Sequence, residues 1–349
     1  MSSDKTVASD GTEGHLTFGI SSSIAAILIL ISPILYTLVA YPNTFILSWN
    51  EGRGGFLFAM AFIVAELVGL KYSPTRKRLL VVAGIAALAI SYFIALPYGL
   101  SDYIRNGKDV YNVSLVDSWM WMWDFIIMAI FVTSSTILLF GKKWYKIASA
   151  GAIYLAGSAL ILALDAFFPF DSLGPLQIIV PIYLQIDQTL INFIDTYVIN
   201  VGPQTPNSSA EPAIARGNLL VINGLHGPFA LQVFWPSAGV HSMIIYTLVM
   251  LALLIKMDLP LTRKMIYFAA GTFGTVAVNL VRIVSLSLYA LVVTTDVQEW
   301  EAFHSIAGEI MFLPWLGIYL GVVIYIENKR IRRLQAKAGG AAASNQSTR

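Results

Sequence analysis

Eight stretches of this chain are apolar for long enough to cross a lipid bilayer, and nothing else in the sequence restricts its fold as much. A hydrocarbon core about 30 Å thick takes roughly 20 apolar residues as α-helix. Residues 18–40, 56–72, 79–98, 119–140, 147–167, 238–256, 265–294 and 304–326 meet that requirement. Ordinary soluble domains are about 45–50% apolar and about 25% charged. Here 57% of the 349 residues are hydrophobic and 12% are charged, with a mean hydropathy of +0.71. The expectation is an all-α polytopic membrane protein of about eight transmembrane helices. It comprises a cytoplasmic tail (1–17), one transmembrane domain (18–326) and a basic cytoplasmic tail (327–349). The first span is too long for a signal peptide and lacks a small-residue cleavage site, so it is expected to be retained. No repeat of fixed period and no second soluble domain are visible.

Lysine and arginine in short loops set orientation. Residues 71–78, 141–146, 256–264 and 327–337 are strongly basic, whereas 41–55, 99–118, 168–237 and 295–303 are poor in basic residues or acidic. Eight crossings with both termini cytoplasmic put every basic loop on one side. Trp119, Trp121 and Trp123 then fall in an outer aromatic belt and Trp144 in an inner one. The sequons at Asn112 and Asn207 fall outside, and that at Asn345 falls in the inner tail. Glu66 belongs at an inner end beside Lys71, in a structural role.

The long segment 168–237 is expected to lie outside. Within it, Leu190, Phe193, Ile194 and Tyr197 share one helical face, which suits a helix in the membrane interface. A ninth span there would break the charge alternation. After a Pro/Asn/Ser-rich link at 203–212, Asn223–Gly224 between two β-prone runs signals a hairpin that delivers the chain to Ser237.

Several classes of chemistry are excluded. Cysteine is absent, so disulfides, thiolate metal sites and cysteine nucleophiles are absent too. The four histidines, His15, His226, His241 and His304, are too scattered for a metal signature. No cofactor motif is found. A net charge of +2, with no basic patch interleaved with aromatics, offers nothing to nucleic acid.

Polar groups at membrane depth cost roughly 2.5–3.5 kcal/mol each on insertion scales, so each needs a partner or a task. Arg282 lies about eleven residues, roughly 16 Å, from the outer end of its helix. Asn279 is on the same face, and together they offer a fork of donors to a carbonyl or carboxylate. The alternative is a structural ion pair with Asp124, Asp165 or Glu309. His304 opens the last span, with Gly308 one turn below it and Glu301 placed to orient its imidazole. Its alternative is an amphipathic boundary residue. Ser237, between Pro236 and Gly239, stands where a helix N-cap or a nucleophile would, with His241 four residues on. A helix N-terminus offers unpaired N–H groups to a cap or to an oxyanion alike. All three elements fall in the outer leaflet, with Asp124 and Asp165 available as supporting partners.

The blocks PSAGVHS (236–242), NLVRI (279–283) and HSIAG (304–308) resemble, in order and spacing, those of the exosortase/archaeosortase family of polytopic membrane enzymes. The resemblance covers about 130 C-terminal residues; the first five spans match in hydropathy alone. The family position for cysteine is occupied by Ser237, as in a serine-bearing, thaumarchaeosortase-like branch. The resemblance implies a serine-type transpeptidase or peptidase acting on membrane-anchored proteins with C-terminal sorting tails. Those tails carry a short motif, a transmembrane helix and a basic cluster, and are cut at the outer face, with possible transfer to a lipid acceptor. It implies Ser237 as nucleophile, His304 as general base and acid, and Arg282 as oxyanion or substrate-carbonyl donor, supported by His241, Asn279, Gly239 and Gly308. Two alternatives stay open: an inactive relative that binds tails, and a transporter with an outer-leaflet site. A rhomboid-like protease would show G-x-S-x-G, and WPSAG lacks the first glycine.

Overall fold

The computed structural model describes residues 22–45, 52–68, 74–170, 172, 174–200 and 211–347. His15, the Asn207 sequon, the link at 203–210 and Lys71 lie outside them. The helices are α1 (Ser22–Ala40), α2 (Gly55–Leu67), α3 (Arg76–Ala95), α4 (Leu100–Val110), α5 (Val116–Phe140), α6 (Trp144–Ile147), α7 (Ala150–Phe167), α8 (Gly174–Gln177), α9 (Ile179–Ile194), α10 (His241–Lys256), α11 (Leu261–Val292) and α12 (Val297–Ser347). Strands β1 (Ala213–Arg216), β2 (Leu219–Gly224) and β3 (Gly227–Gln232) lie between α9 and α10.

The chain is a mostly helical, polytopic membrane protein. Among the described residues, seven helical segments are long and apolar enough to cross a bilayer: Ser23–Ala40, Arg76–Tyr98, Val116–Ile147, Ala150–Phe167, Pro236–Lys256, Leu261–Val292 and Val297–Ala336. The segment expected at 56–72 is the exception. Its helix, α2, has 13 residues, about 20 Å at the α-helical rise, because the backbone turns extended at Val68. Hydropathy counts apolar residues and is blind to where the chain leaves the helix.

Two apolar clusters organise the fold. The larger joins α1, α2, α3, α5, α7, α10 and part of α12, around fully buried side chains such as Phe56, Phe125, Leu155 and Tyr246. The smaller joins α9, the sheet and the facing ends of α11 and α12, around Val180, Leu220, Ile222, Ala290 and Trp300. Charges in the first cluster are paired. Arg53 donates to Asp124 at 2.8 and 2.9 Å, and Tyr92 donates to the other oxygen of Asp124 at 2.9 Å. Asp124 is therefore committed to a loop arginine and is no partner of Arg282. Trp119 is 4% exposed and donates to the Ile104 carbonyl at 2.8 Å. It packs inside the protein rather than in a lipid-facing belt. At the far end of the bundle, Glu66 pairs with Lys256 and accepts from the Ala150 N–H, while Glu327 pairs with Arg263.

The expected hairpin is a three-stranded antiparallel sheet in the order β1-β2-β3. Asn223–Gly224 is not its turn. Gly224 pairs with Gly227 across a two-residue loop, Leu225–His226. A Cβ on Gly224 would lie 2.5 and 2.8 Å from the carbonyl oxygens of Leu291 and Ala290. Glycine there serves close approach of β2 to the end of α11, where the Leu225 N–H donates to the Leu291 carbonyl at 2.8 Å. The other hairpin turns at Gly217–Asn218, with Gly217 at φ +64°, as a two-residue loop favours.

Helix α9 buries Val180, Tyr183, Leu184, Asp187 and Ile191 and leaves Ile182, Ile186 and Phe193 exposed, as is Tyr197 in the wide turn Asp195–Ile199 that follows it. Asp187 is fully buried and accepts from the Ser287 hydroxyl of α11 at 2.6 Å. Burial pushes its carboxyl up from 3.8 to about 6, against the opposing effect of the Ser287 bond. A carboxyl raised on folding stabilises fully below its unfolded value, and that contribution is lost as pH rises through the folded value. Asp187→Asn, which keeps an acceptor for Ser287, is thus expected to stabilise the protein at pH 7 by on the order of 3 kcal/mol. It should also flatten the stability profile between pH 4 and 7. Thermal unfolding in detergent across that range checks both; an unchanged profile contradicts the assignment.

Candidate active site

The approach to Ser237 is fixed residue by residue. After β3, the Val233 N–H donates to the Asn218 carbonyl at 2.8 Å. Gln177 then latches the chain: its carboxamide accepts from the Trp235 N–H at 2.9 Å and donates to the Val233 carbonyl at 3.3 Å. Trp235 is fully buried, and its indole donates to the Phe168 carbonyl at 3.2 Å. Pro236–Val240 form one wide helical turn before α10, broken by Gly239 at φ +93°. A Cβ at Gly239 would also overlap the Asn279 carboxamide. Conformation and space both demand glycine.

Ser237 is not a helix cap. Trp235 precedes the turn and Val240 precedes α10, neither with a side-chain cap bond. Among the described residues no hydrogen bond engages the Ser237 hydroxyl. Its backbone, by contrast, is held from α11. Arg282 donates through Nη2 to the Ser237 carbonyl, and Asn279 donates through Nδ2 to the Ala238 carbonyl. The fork expected of Asn279 and Arg282 therefore exists, and its targets are two successive carbonyls of the serine turn.

In the structure Arg282 is engaged with the serine turn itself. It does not line the cavity that holds Ser237. It lies in a narrower space with Ser242, Thr275, Asn279 and Gly308, and a Cβ on Gly308 would come within 3.1 Å of its Nη1. Gly308 thus makes room for the guanidinium. Arg282 has no salt bridge among the described residues, and its buried Nε lacks a partner. Structurally it is a clamp behind the serine.

Ser237 and His304 share a cavity of about 590 Å³, walled by Leu231, Gln232 and Val233 after β3, by Ile283 and Leu286 of α11, and by Trp300, Glu301 and Ser305 of α12. The His304 ring stacks on Trp300, with centroids 5.1 Å apart and planes 9° apart. The Trp300 indole is fixed in turn by the Leu286 carbonyl at 3.2 Å. Trp300, not Glu301, therefore orients the imidazole: no hydrogen bond joins Glu301 to His304 among the described residues. None joins His304 to Ser237 either. Such contacts are often long before substrate binds.

His241 does not face Ser237 through its Nε2, which lies 3.1 Å from the Asp165 carboxylate. Its ring meets Trp235 edge-on at 5.3 Å. No salt bridge joins Asp165 to Arg282 among the described residues. His241→Leu is expected to lower stability by about 1–3 kcal/mol by removing the donor that faces the buried Asp165 carboxylate. Thermal unfolding in detergent checks this; an unchanged midpoint would contradict the pairing.

Besides Trp300, two contributors escaped sequence reasoning. Tyr183 of α9 sets its phenol against Asn279 and within the field of Arg282. Gln177 holds the strand-to-helix passage from 58 residues away. Neither bears a local signal, since both act across long sequence distances. Among the described residues, no three His, Cys, Asp or Glu side chains gather to hold a metal. Compared with protein-family models, curated proteins and solved structures, the chain matches none.

Proposed function

We propose that this protein is a membrane-embedded, serine-type peptidase or transpeptidase that removes C-terminal sorting tails from exported membrane-anchored proteins. The observation that carries this proposal is the shared cavity: an uncapped serine hydroxyl and a stacked histidine open into one space, while the serine backbone is clamped by Arg282 and Asn279. The three blocks resembling exosortases and archaeosortases contain Ser237, Arg282 and His304 in that order, and point the same way.

In the chemistry proposed, Ser237 Oγ attacks the scissile carbonyl carbon while its proton passes to His304. The carbon–nitrogen bond then breaks, and His304 returns the proton to the departing amine. This leaves an ester on Ser237. Water, or a hydroxyl or amine of a lipid acceptor, attacks that ester and gives its proton to His304; the bond from the acyl carbon to Ser237 Oγ then breaks, and His304 passes the proton to Oγ, restoring the free serine. The basic residues gather at the opposite end of the bundle from Ser237. By the positive-inside rule, the cavity then faces the extracytoplasmic side, both termini are cytoplasmic, α2 completes an eighth crossing, and α9 lies in the outer interface on its exposed apolar stripe.

The test is co-expression with a reporter carrying a tripartite tail. Tail removal is expected from the original protein and is expected to fall at least about 100-fold in His304→Ala, the scale of general acid–base catalysis. Undiminished removal by His304→Ala contradicts the proposal. The lack of a hydrogen bond between Ser237 and His304 favours one second reading, a protein that binds tails without cutting them. Tail capture without cleavage would establish it.

A further inference from the structure

Strand β3 ends at the cavity and has a free edge. In the sheet order β1-β2-β3 it pairs on one side alone. The register fixes which of its backbone groups are spare. Gly224 and Gly227 close a two-residue loop, so they form a hydrogen-bonded pair, as do Ile222 with Phe229 and Leu220 with Leu231. The alternate residues, Pro228, Ala230 and Gln232, turn their backbone groups outward. Proline at 228 lacks the N–H that would be spare there, which blunts the end of the edge far from Ser237. Ala230 and Gln232 keep both N–H and C=O, and both side chains are exposed. Gln232 and its neighbours Leu231 and Val233 wall the same cavity as Ser237 and His304.

We infer that a substrate polypeptide binds as an added antiparallel strand on β3, pairing its backbone with Ala230 and Gln232, so that its extended scissile segment runs past Ser237. This rests on the function proposed above and names how that site takes its substrate. Three observations single out an extended peptide. The spare donors and acceptors alternate at the strand repeat, which matches any extended backbone regardless of side chain. They occur at the end of the edge that leads to Ser237 and not at the end capped by Pro228. The wall opposite, with Ile283, Leu286 and Trp300, supplies an apolar face for alternate side chains. Recognition is then mostly by main chain, with side-chain selectivity confined to every second residue.

The absence of cysteine makes disulfide mapping clean. In a Ser237→Ala, Gln232→Cys protein, single cysteines are scanned through the cleavage segment of a tripartite-tail reporter. Disulfide yield is expected to peak at one residue, to fall at least about fivefold at its immediate neighbours, whose side chains face away, and to recover in part at its second neighbours, which share its face about 7–8 Å off. In parallel, N-methylation of substrate amides facing Ala230 or Gln232 should lower kcat/KM about tenfold, with little effect one residue away. A flat profile, no crosslink, or a disulfide-linked dimer of Gln232→Cys without substrate overturns strand addition; the dimer would assign the edge to a second copy. Labelling of Ser237 by a fluorophosphonate in the otherwise unaltered protein separates the two proposals. A flat profile beside normal labelling removes strand addition alone. A two-residue period with an unlabelled Ser237 keeps the binding mode and removes the serine chemistry.

Discussion

Ser237→Ala is expected to lower tail removal by about 10³-fold or more, the scale seen when an acyl-transfer nucleophile is deleted. Thermal stability should hardly change. A helix cap lost to alanine costs about 1 kcal/mol, but Ser237 caps neither the turn at Pro236–Val240 nor α10, so that cost should be absent. The pairing of large kinetic loss with unaltered stability distinguishes nucleophile from cap. Ser237→Cys is expected to retain or exceed the original activity, since a thiol is the stronger nucleophile near neutral pH and fills the position cysteine holds in the family the sequence resembles. Undiminished tail removal in Ser237→Ala would rule the serine out.

Arg282→Ala should act on both stability and rate. It removes the donor to the Ser237 carbonyl and empties the space beside Gly308. Leaving this half-buried carbonyl without its donor costs about 1 kcal/mol. Because a displacement of about 1 Å in a catalytic group is enough to cost roughly 10²-fold, tail removal per folded molecule should fall by a similar factor. Arg282→Lys is not expected to restore it. An ammonium on a flexible stem lacks the planar fork that reaches the carbonyl from α11. Asn279→Ala should show a weaker form of the same defect through the Ala238 carbonyl. Thermal unfolding beside single-turnover cleavage separates the two effects; a normal rate in folded Arg282→Ala would deny the clamp its role.

The parts legible in the sequence are those set by local pattern. Long apolar runs mark the seven helices that are long and apolar enough to cross a bilayer, and basic loops mark one end of the bundle. A proline–serine–glycine turn at a helix start, and Asn279 with Arg282 one turn apart, locate the serine and its clamp. The parts not legible depend on distant partners. Arg53 lies in a loop with no periodicity, so its claim on Asp124 was invisible and left that carboxylate as an apparent partner for Arg282. His241, at i+4 from Ser237, suggested contact along the helix, but Asp165 on α7 takes its Nε2. Asn223–Gly224 carried the strongest turn signal, yet close approach to α11 claimed the glycine. The length of α2 was overread because one extended residue, Val68, stops a helix without altering its hydropathy.

At the centre of this account is a covalent bond to a single oxygen atom. The purified protein, mixed with a tailed substrate and quenched within a turnover, should carry an acyl mass on the peptide spanning Ser237, absent from Ser237→Ala and longer-lived in His304→Ala if any forms. Tail cleavage with no adduct on that peptide, or with the adduct on another residue, would contradict it.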